Sequence, residues 1–171
     1  MPRRLISFDP GQYYHLYNRG VNRENIFIEE RNYWYFLFNL ERYLLPITDL
    51  IAYCLMPNHY HLLVYIRETS EVFKTSEVST AMMRLSVSYT KTINIHYDRV
   101  GPLFQGAFQA KFVDSEVYLG HLIGYIHLNP VESGLVEKPE DWIYSSFHDY
   151  KNLDPLEIIR RDTFRDLGGL S

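Results

Sequence analysis

Hydrophobic and polar positions alternate through residues 12–20, QYYHLYNRG, directly after a turn at Asp9-Pro10-Gly11. Tyr13, His15 and Tyr17 fall on one side and Tyr14 and Leu16 on the other, which predicts a first strand. The period then changes. Over residues 29–45, Trp34, Leu37, Phe38, Leu44 and Leu45 can share the broad apolar face of a helix, stopped by Pro46. Residues 48–56, TDLIAYCLM, are apolar on both sides, as in a central buried strand. Pro57-Asn58 turns the chain into an antiparallel strand over 59–66, HYHLLVYI. After a loop over 67–76, Met82, Leu85, Tyr89 and Ile93 mark a second helix over 77–98. Gly101-Pro102 interrupts the chain before a strand over 104–113. Asp114 is the expected cap of a third helix, with Glu116 in its first turn and Pro130 ending it. A short segment DWIYSSFHDY follows, and a small helix is expected over 155–166.

The first six elements follow the order βαββαβ. They predict an α+β fold of the ferredoxin-like kind, an antiparallel sheet with helices on one face, plus one added helix. The 171 residues suit one domain over 1–150 with a C-terminal tail over 151–171.

Composition narrows the choices. At 46% hydrophobic the chain can bury a real core. Its aromatic share of 16% supplies core and, on a surface, stacking platforms for unpaired bases. Cys54 is the single cysteine, which excludes an internal disulfide and a cysteine-based zinc cluster. The sequence has no signal peptide and no run of membrane-spanning length, so the expectation is a cytoplasmic, nucleoid-associated protein with no membrane partner. A net charge of −4 argues against a non-specific nucleic-acid coat but permits a local basic patch. Arg3, Arg4, Arg19 and Arg23 gather near the N-terminus; Lys74, Arg84, Lys91 and Lys111 come later.

Two histidines stand out at the head of the third strand. Tyr60, Leu62, Val64 and Ile66 form its core face, so His59 and His61 share the opposite face with Leu63 and Tyr65. Two imidazoles at this spacing can reach one cation, yet they can equally be partly exposed residues satisfied by water. The third helix offers a completion: His121, Tyr125 and Asn129 are four residues apart and stack on one face. Leu122, Ile123 and Ile126 point elsewhere and can anchor that helix, and His127 faces away from Tyr125.

In this order and spacing, YHLYNRGVNRENIF, YCLMPNHYHLLV, YLGHLIGYIHLNPVESGLV and DWIYSSF resemble the single-tyrosine transposases with a histidine–hydrophobe–histidine motif. The likeness is to the REP-associated tyrosine transposase branch and covers roughly residues 12 to 150. It implies His59 and His61 as metal ligands, Tyr125 as nucleophile, and Asn129 as a third, oxygen ligand where an insertion-sequence branch carries glutamine. His121 is the alternative ligand. The implied cofactor is a divalent metal, Mg²⁺ or Mn²⁺. The implied partner is single-stranded DNA with hairpin structure, cleaved and rejoined through a 5′-phosphotyrosine intermediate; a homodimer is left open. Arg3, Arg4, Arg19, Arg23 and Tyr17 are candidate DNA contacts. Relatives often carry a basic residue after the glycine of FQG; here it is Ala107, and Lys111 is the expected substitute. The rival readings are a non-catalytic module with the fold of an RNA-recognition domain, a metal hydrolase that uses bound water, and a domesticated or inactive relative that keeps the site but serves the host.

Overall fold

In a computed structural model of the chain, which describes residues 6–68 and 76–150, four strands form one antiparallel sheet. They are β1 (Tyr13–Arg19), β2 (Thr48–Met56), β3 (His59–Ile66) and β4 (Gln109–Val113), in the spatial order β2-β3-β1-β4. With α1 (Glu30–Tyr43) between β1 and β2, and α2 (Ser76–His96) between β3 and β4, this is the ferredoxin-like arrangement the element order predicts.

Pleating sorts the side chains of β1 and β3 into two layers. Tyr14 and Leu16, with Tyr60, Leu62, Val64 and Ile66, pack under α1 and α2 against Phe36, Leu40, Met82, Leu85, Tyr89 and Ile93. All four α2 residues expected to face the core are buried. Burying a side chain of this size contributes about 1.5–3 kcal/mol, so this layer supplies most of what holds the sheet.

The expected face of α1 is corrected. Tyr33, Phe36, Leu40 and the following Leu44 are buried, whereas Trp34 and Phe38 are half exposed. Aromatic and aliphatic residues surround this helix on every side, so periodicity alone does not fix its rotation, and packing against α2 and Phe27 does. Asn32 closes a capping box at its start with Glu29.

The opposite face of the sheet carries α3 (Glu116–Glu132). Leu119, Leu122, Ile123 and Ile126 pack on Ile51, Ala52, Cys54, Met56, Leu63 and Tyr65. Helices therefore lie on both faces, two on one and the added one on the other. A bulge between Leu50 and Ala52 turns Ile51 and Ala52 together toward α3. The freed carbonyl of Ile51 accepts a hydrogen bond from the Tyr150 hydroxyl.

Both expected ends of α3 move. Ser115, not Asp114, is the cap, its hydroxyl accepting from the Tyr118 amide at 3.1 Å. Pro130 sits inside the helix, which runs on to Glu132 because proline removes only one N–H donor and the next turn closes through Ser133 N to Asn129 O. β4 is shorter than expected, since Phe104 makes only an isolated bridge to Gly20 before the chain loops out to Gln109.

The segment around DWIYSSF seals the free edge of β2. Leu55 N donates to Tyr144 O at 2.8 Å and Ser146 N to Tyr53 O at 3.0 Å. The indole of Trp142 donates to Leu55 O, and Tyr144 stacks on Tyr33 at 3.7 Å. The tail over 151–171 and its expected helix lie outside the described residues, as do Arg3, Arg4 and Lys74. Among the described residues, no helix is long and apolar enough to cross a membrane.

Candidate functional site

The site is built by a side chain that takes no part in it. Tyr60 is fully buried, with its ring 4.9 Å from Phe36 and 6.0 Å from Phe104. Fixing Tyr60 under the two-helix layer obliges His59 and His61 to face α3. On that side α3 is held down by its apolar stripe, which brings Tyr125 and Asn129, one turn apart, over the start of β3.

Asn129 is the meeting point. His59 Nε2 lies 3.1 Å from Asn129 Oδ1, and His61 Nε2 lies 3.5 Å from Asn129 Nδ2. The two imidazoles stand edge to face with centroids 5.0 Å apart. The Tyr125 ring is edge to face with His61 at 5.5 Å, yet Tyr125 remains 46% exposed.

Burial sets the charge state. It pushes His61 down to about 3, reinforced by the neighbouring His15 and His59, and it lowers His59 against the raising effect of the Asn129 hydrogen bond. Both rings are thus neutral near pH 7, the form in which imidazole binds metals. Two nitrogens and an amide oxygen on one small volume fit a divalent cation of intermediate hardness that also takes phosphate oxygens. Among the described residues, no group of three His, Cys, Asp or Glu side chains is placed to hold an ion; the oxygen that lies beside these imidazoles is Asn129 Oδ1.

A cleft of about 790 Å³ opens at this point. His59, His61 and Tyr125 line it together with Tyr17, Arg19 and Arg23. Arg23 reaches it from a 3₁₀ turn in which Asn22 and Arg23 both take left-handed backbone angles, φ 54° and 59°. Gly20 permits that turn: a Cβ there would stand 2.0 Å from Glu24 O. A smaller cavity of about 330 Å³ shares Tyr17, His61 and Tyr125 with the cleft and is also lined by His15, Lys111 and His121. Lys111 Nζ sits 5.9 Å over the Tyr17 ring.

The structure thus gathers His59, His61, Asn129, Tyr125, Tyr17, Arg19 and Arg23 around one cleft and its floor, while Lys111 lines the smaller cavity, over the Tyr17 ring. His121 is exposed and lines only the smaller cavity, apart from His59 and Asn129. His127 is buried on the far side of α3, its Nε2 bonded to Ser146 Oγ at 2.8 Å. Three residues of the site have no counterpart in the sequence reading. His15 bonds His61, Asn58 bonds His59, and Gln105 accepts from Arg19 Nε. His15 was detectable only through its place on the same strand face as Tyr13 and Tyr17; its partner comes from cross-strand register.

No protein-family model matches the chain. A curated Haemophilus influenzae protein, provisionally named a REP-associated tyrosine transposase, is 29% identical over 104 residues, 58% of this chain and 59% of that protein. The solved structure of a REP-associated tyrosine transposase bound to a REP hairpin superposes with a TM-score of 0.68 at 19% identity, covering 86% of this chain and 83% of the other. The resemblance to the REP-associated tyrosine transposases holds in sequence and in fold. The chain matches less than two thirds of the length of the curated transposase. The structural likeness extends over a larger share of the chain than the 104 aligned residues of the curated relative.

Proposed function

We propose that this protein cleaves and rejoins single-stranded DNA beside hairpins, using Tyr125 as nucleophile and a divalent metal held by His59, His61 and Asn129. One observation carries the reading: a half-exposed tyrosine stands 5.5 Å, ring to ring, from a buried, neutral imidazole whose neighbours offer a second imidazole and an amide oxygen. The curated relative's name and the hairpin-bound solved structure support the same reading.

Each group then has a task. The Tyr125 oxygen attacks a backbone phosphorus; a P–O bond to the phenol forms and the bond to the 3′ oxygen breaks. The phenol gives up its proton and the departing oxygen ends as a 3′-hydroxyl. The 5′-phosphotyrosine conserves the energy of the broken bond, so attack by another 3′-hydroxyl rejoins DNA without ATP. Bound Mg²⁺ or Mn²⁺ would offset charge on the non-bridging phosphate oxygens. Arg19 and Arg23 take phosphates or base edges along the cleft, and Tyr17 offers a ring for an unpaired base. Lys111 replaces the basic residue missing at Ala107. Such an enzyme works in the cytoplasm, at the nucleoid.

The test is a hairpin-flanked oligonucleotide panel labelled at the 3′ end. The expected result is a labelled protein band that survives denaturation and vanishes with chelator. Binding without any such band supports the non-catalytic module, and a free 5′-phosphate product supports the hydrolase.

A further inference from the structure

His15 lies on β1, next to β3, and its Nε2 is 2.9 Å from His61 Nδ1. The two rings stack at 5.1 Å with 28° between their planes, and both residues are buried. Water is therefore a poor substitute for this contact. His15 touches neither Asn129 nor His59, and the reaction assigned to the site gives it no task.

A neutral imidazole carries one proton, and the contacts around each ring decide where it sits. Asn129 presents its Nδ2, which can only donate, to His61 Nε2. That long contact favours a bare Nε2, and the shorter one to His15 Nε2, accepting at Nδ1, holds the His61 proton there. His59 follows the same logic through another partner. Asn58 Nδ2 faces the Arg23 carbonyl at 3.4 Å, which turns Asn58 Oδ1 toward His59 Nδ1 at 2.7 Å. An oxygen there demands the Nδ1 proton of His59 and leaves Nε2 bare, facing Asn129 Oδ1 at 3.1 Å. Two lone pairs confronting each other at that distance repel unless something positive lies between them.

We infer that His15 is a positioning residue: by accepting the Nδ1 proton of His61 it fixes that ring's tautomer and turns a bare Nε2 toward the cleft, as Asn58 does for His59. The inference rests on the metal-site reading for its purpose but not for its test. Partners of this kind commonly change metal affinity by about 10- to 100-fold when removed.

Long-range ¹H–¹⁵N NMR of the metal-free full chain reads the tautomer directly. The expected signature is an Nδ1–H tautomer at His61. In His15→Leu this signature should give way to a mixture, and Mn²⁺ affinity should fall by about 10- to 100-fold. His15→Gln, which restores an acceptor oxygen, should recover much of both; melting curves confirm that each variant is folded. An Nε2–H tautomer at His61 in the unsubstituted protein overturns the inference, since it means that the Asn129 amide is turned over and His15 donates. An unchanged tautomer in His15→Leu overturns it too. If the unsubstituted protein binds no Mn²⁺, the metal-site reading fails while the tautomer still decides the role of His15.

Discussion

His59 Nε2 lies 3.1 Å from Asn129 Oδ1, joining the first residue of β3 to the last turn of α3 across 70 residues of sequence. The apolar packing of α3 on the sheet makes this approach, and it places an amide oxygen beside an imidazole nitrogen. With the His59 proton held on Nδ1 by Asn58, the pair offers two lone pairs rather than a hydrogen bond. The consequence of the packing is geometric: it seats Asn129 against β3, one turn beyond the Tyr125 that faces His61.

The oxygen of Asn129 is therefore the group to test as a third ligand. Asn129→Asp keeps the oxygen and adds charge, so Mn²⁺ affinity measured by titration calorimetry should be kept or raised. Asn129→Leu keeps the volume and loses the donor, and affinity should drop at least tenfold. Equal affinities in the two variants would remove Asn129 from the ligand set.

Tyr60 should matter for stability rather than chemistry. It is fully buried between Phe36 and Phe104 and sets which way both histidines face. Tyr60→Ala should cost about 3–5 kcal/mol in denaturant unfolding. A loss below about 1 kcal/mol would mean that the strand is held by something else.

Acid should weaken the fold before the carboxylates titrate. Burial holds His61 at about 3 and His15 and His127 at about 4, against 6.5 in an unfolded chain. Between those values the unfolded chain binds more protons than the folded one, so stability falls as pH drops below 6.5. Each such histidine costs about 1.4 kcal/mol per pH unit across its window. The melting midpoint should be nearly level above about pH 7 and decline steadily below 6.5. A midpoint that stays level down to about pH 5 would contradict the burial of these rings.

Arg19 and Arg23 line the cleft and should act on binding. Alanine at either position should weaken hairpin binding and reduce the slope of log affinity against log salt by about one. The melting temperature should barely move. A variant with an unchanged salt slope would place that arginine off the DNA path.

Much of this arrangement was legible because strand alternation is strict. Tyr60, Leu62, Val64 and Ile66 against His59, His61, Leu63 and Tyr65 follow from the period of two, and both sets lie where that period puts them. The anchoring of α3 by Leu122, Ile123 and Ile126 was readable because these three point away from the face shared by His121, Tyr125 and Asn129. The rotation of α1 was not, because Trp34 and Phe38 are as hydrophobic as the buried Tyr33 and Phe36. Pro130 misled because a proline near the end of a helix costs one bond while the turn beyond it can still close. His15 was hidden for a different reason. Its contact with His61 depends on β1 and β3 being neighbours in a defined register, Tyr17 opposite His61, and no local pattern encodes that.

The position of Tyr125 is what the proposed chemistry depends on most. Tyr125→Phe removes only the hydroxyl from a ring that is half exposed, so folding and hairpin affinity should be kept. The decisive measurement is a denaturing gel of this variant after incubation with a 3′-labelled hairpin-flanked strand and Mg²⁺ or Mn²⁺, run beside the unsubstituted protein. The unsubstituted chain should carry the label and the variant should carry none. A labelled band in Tyr125→Phe at comparable strength would show that another residue attacks the phosphate.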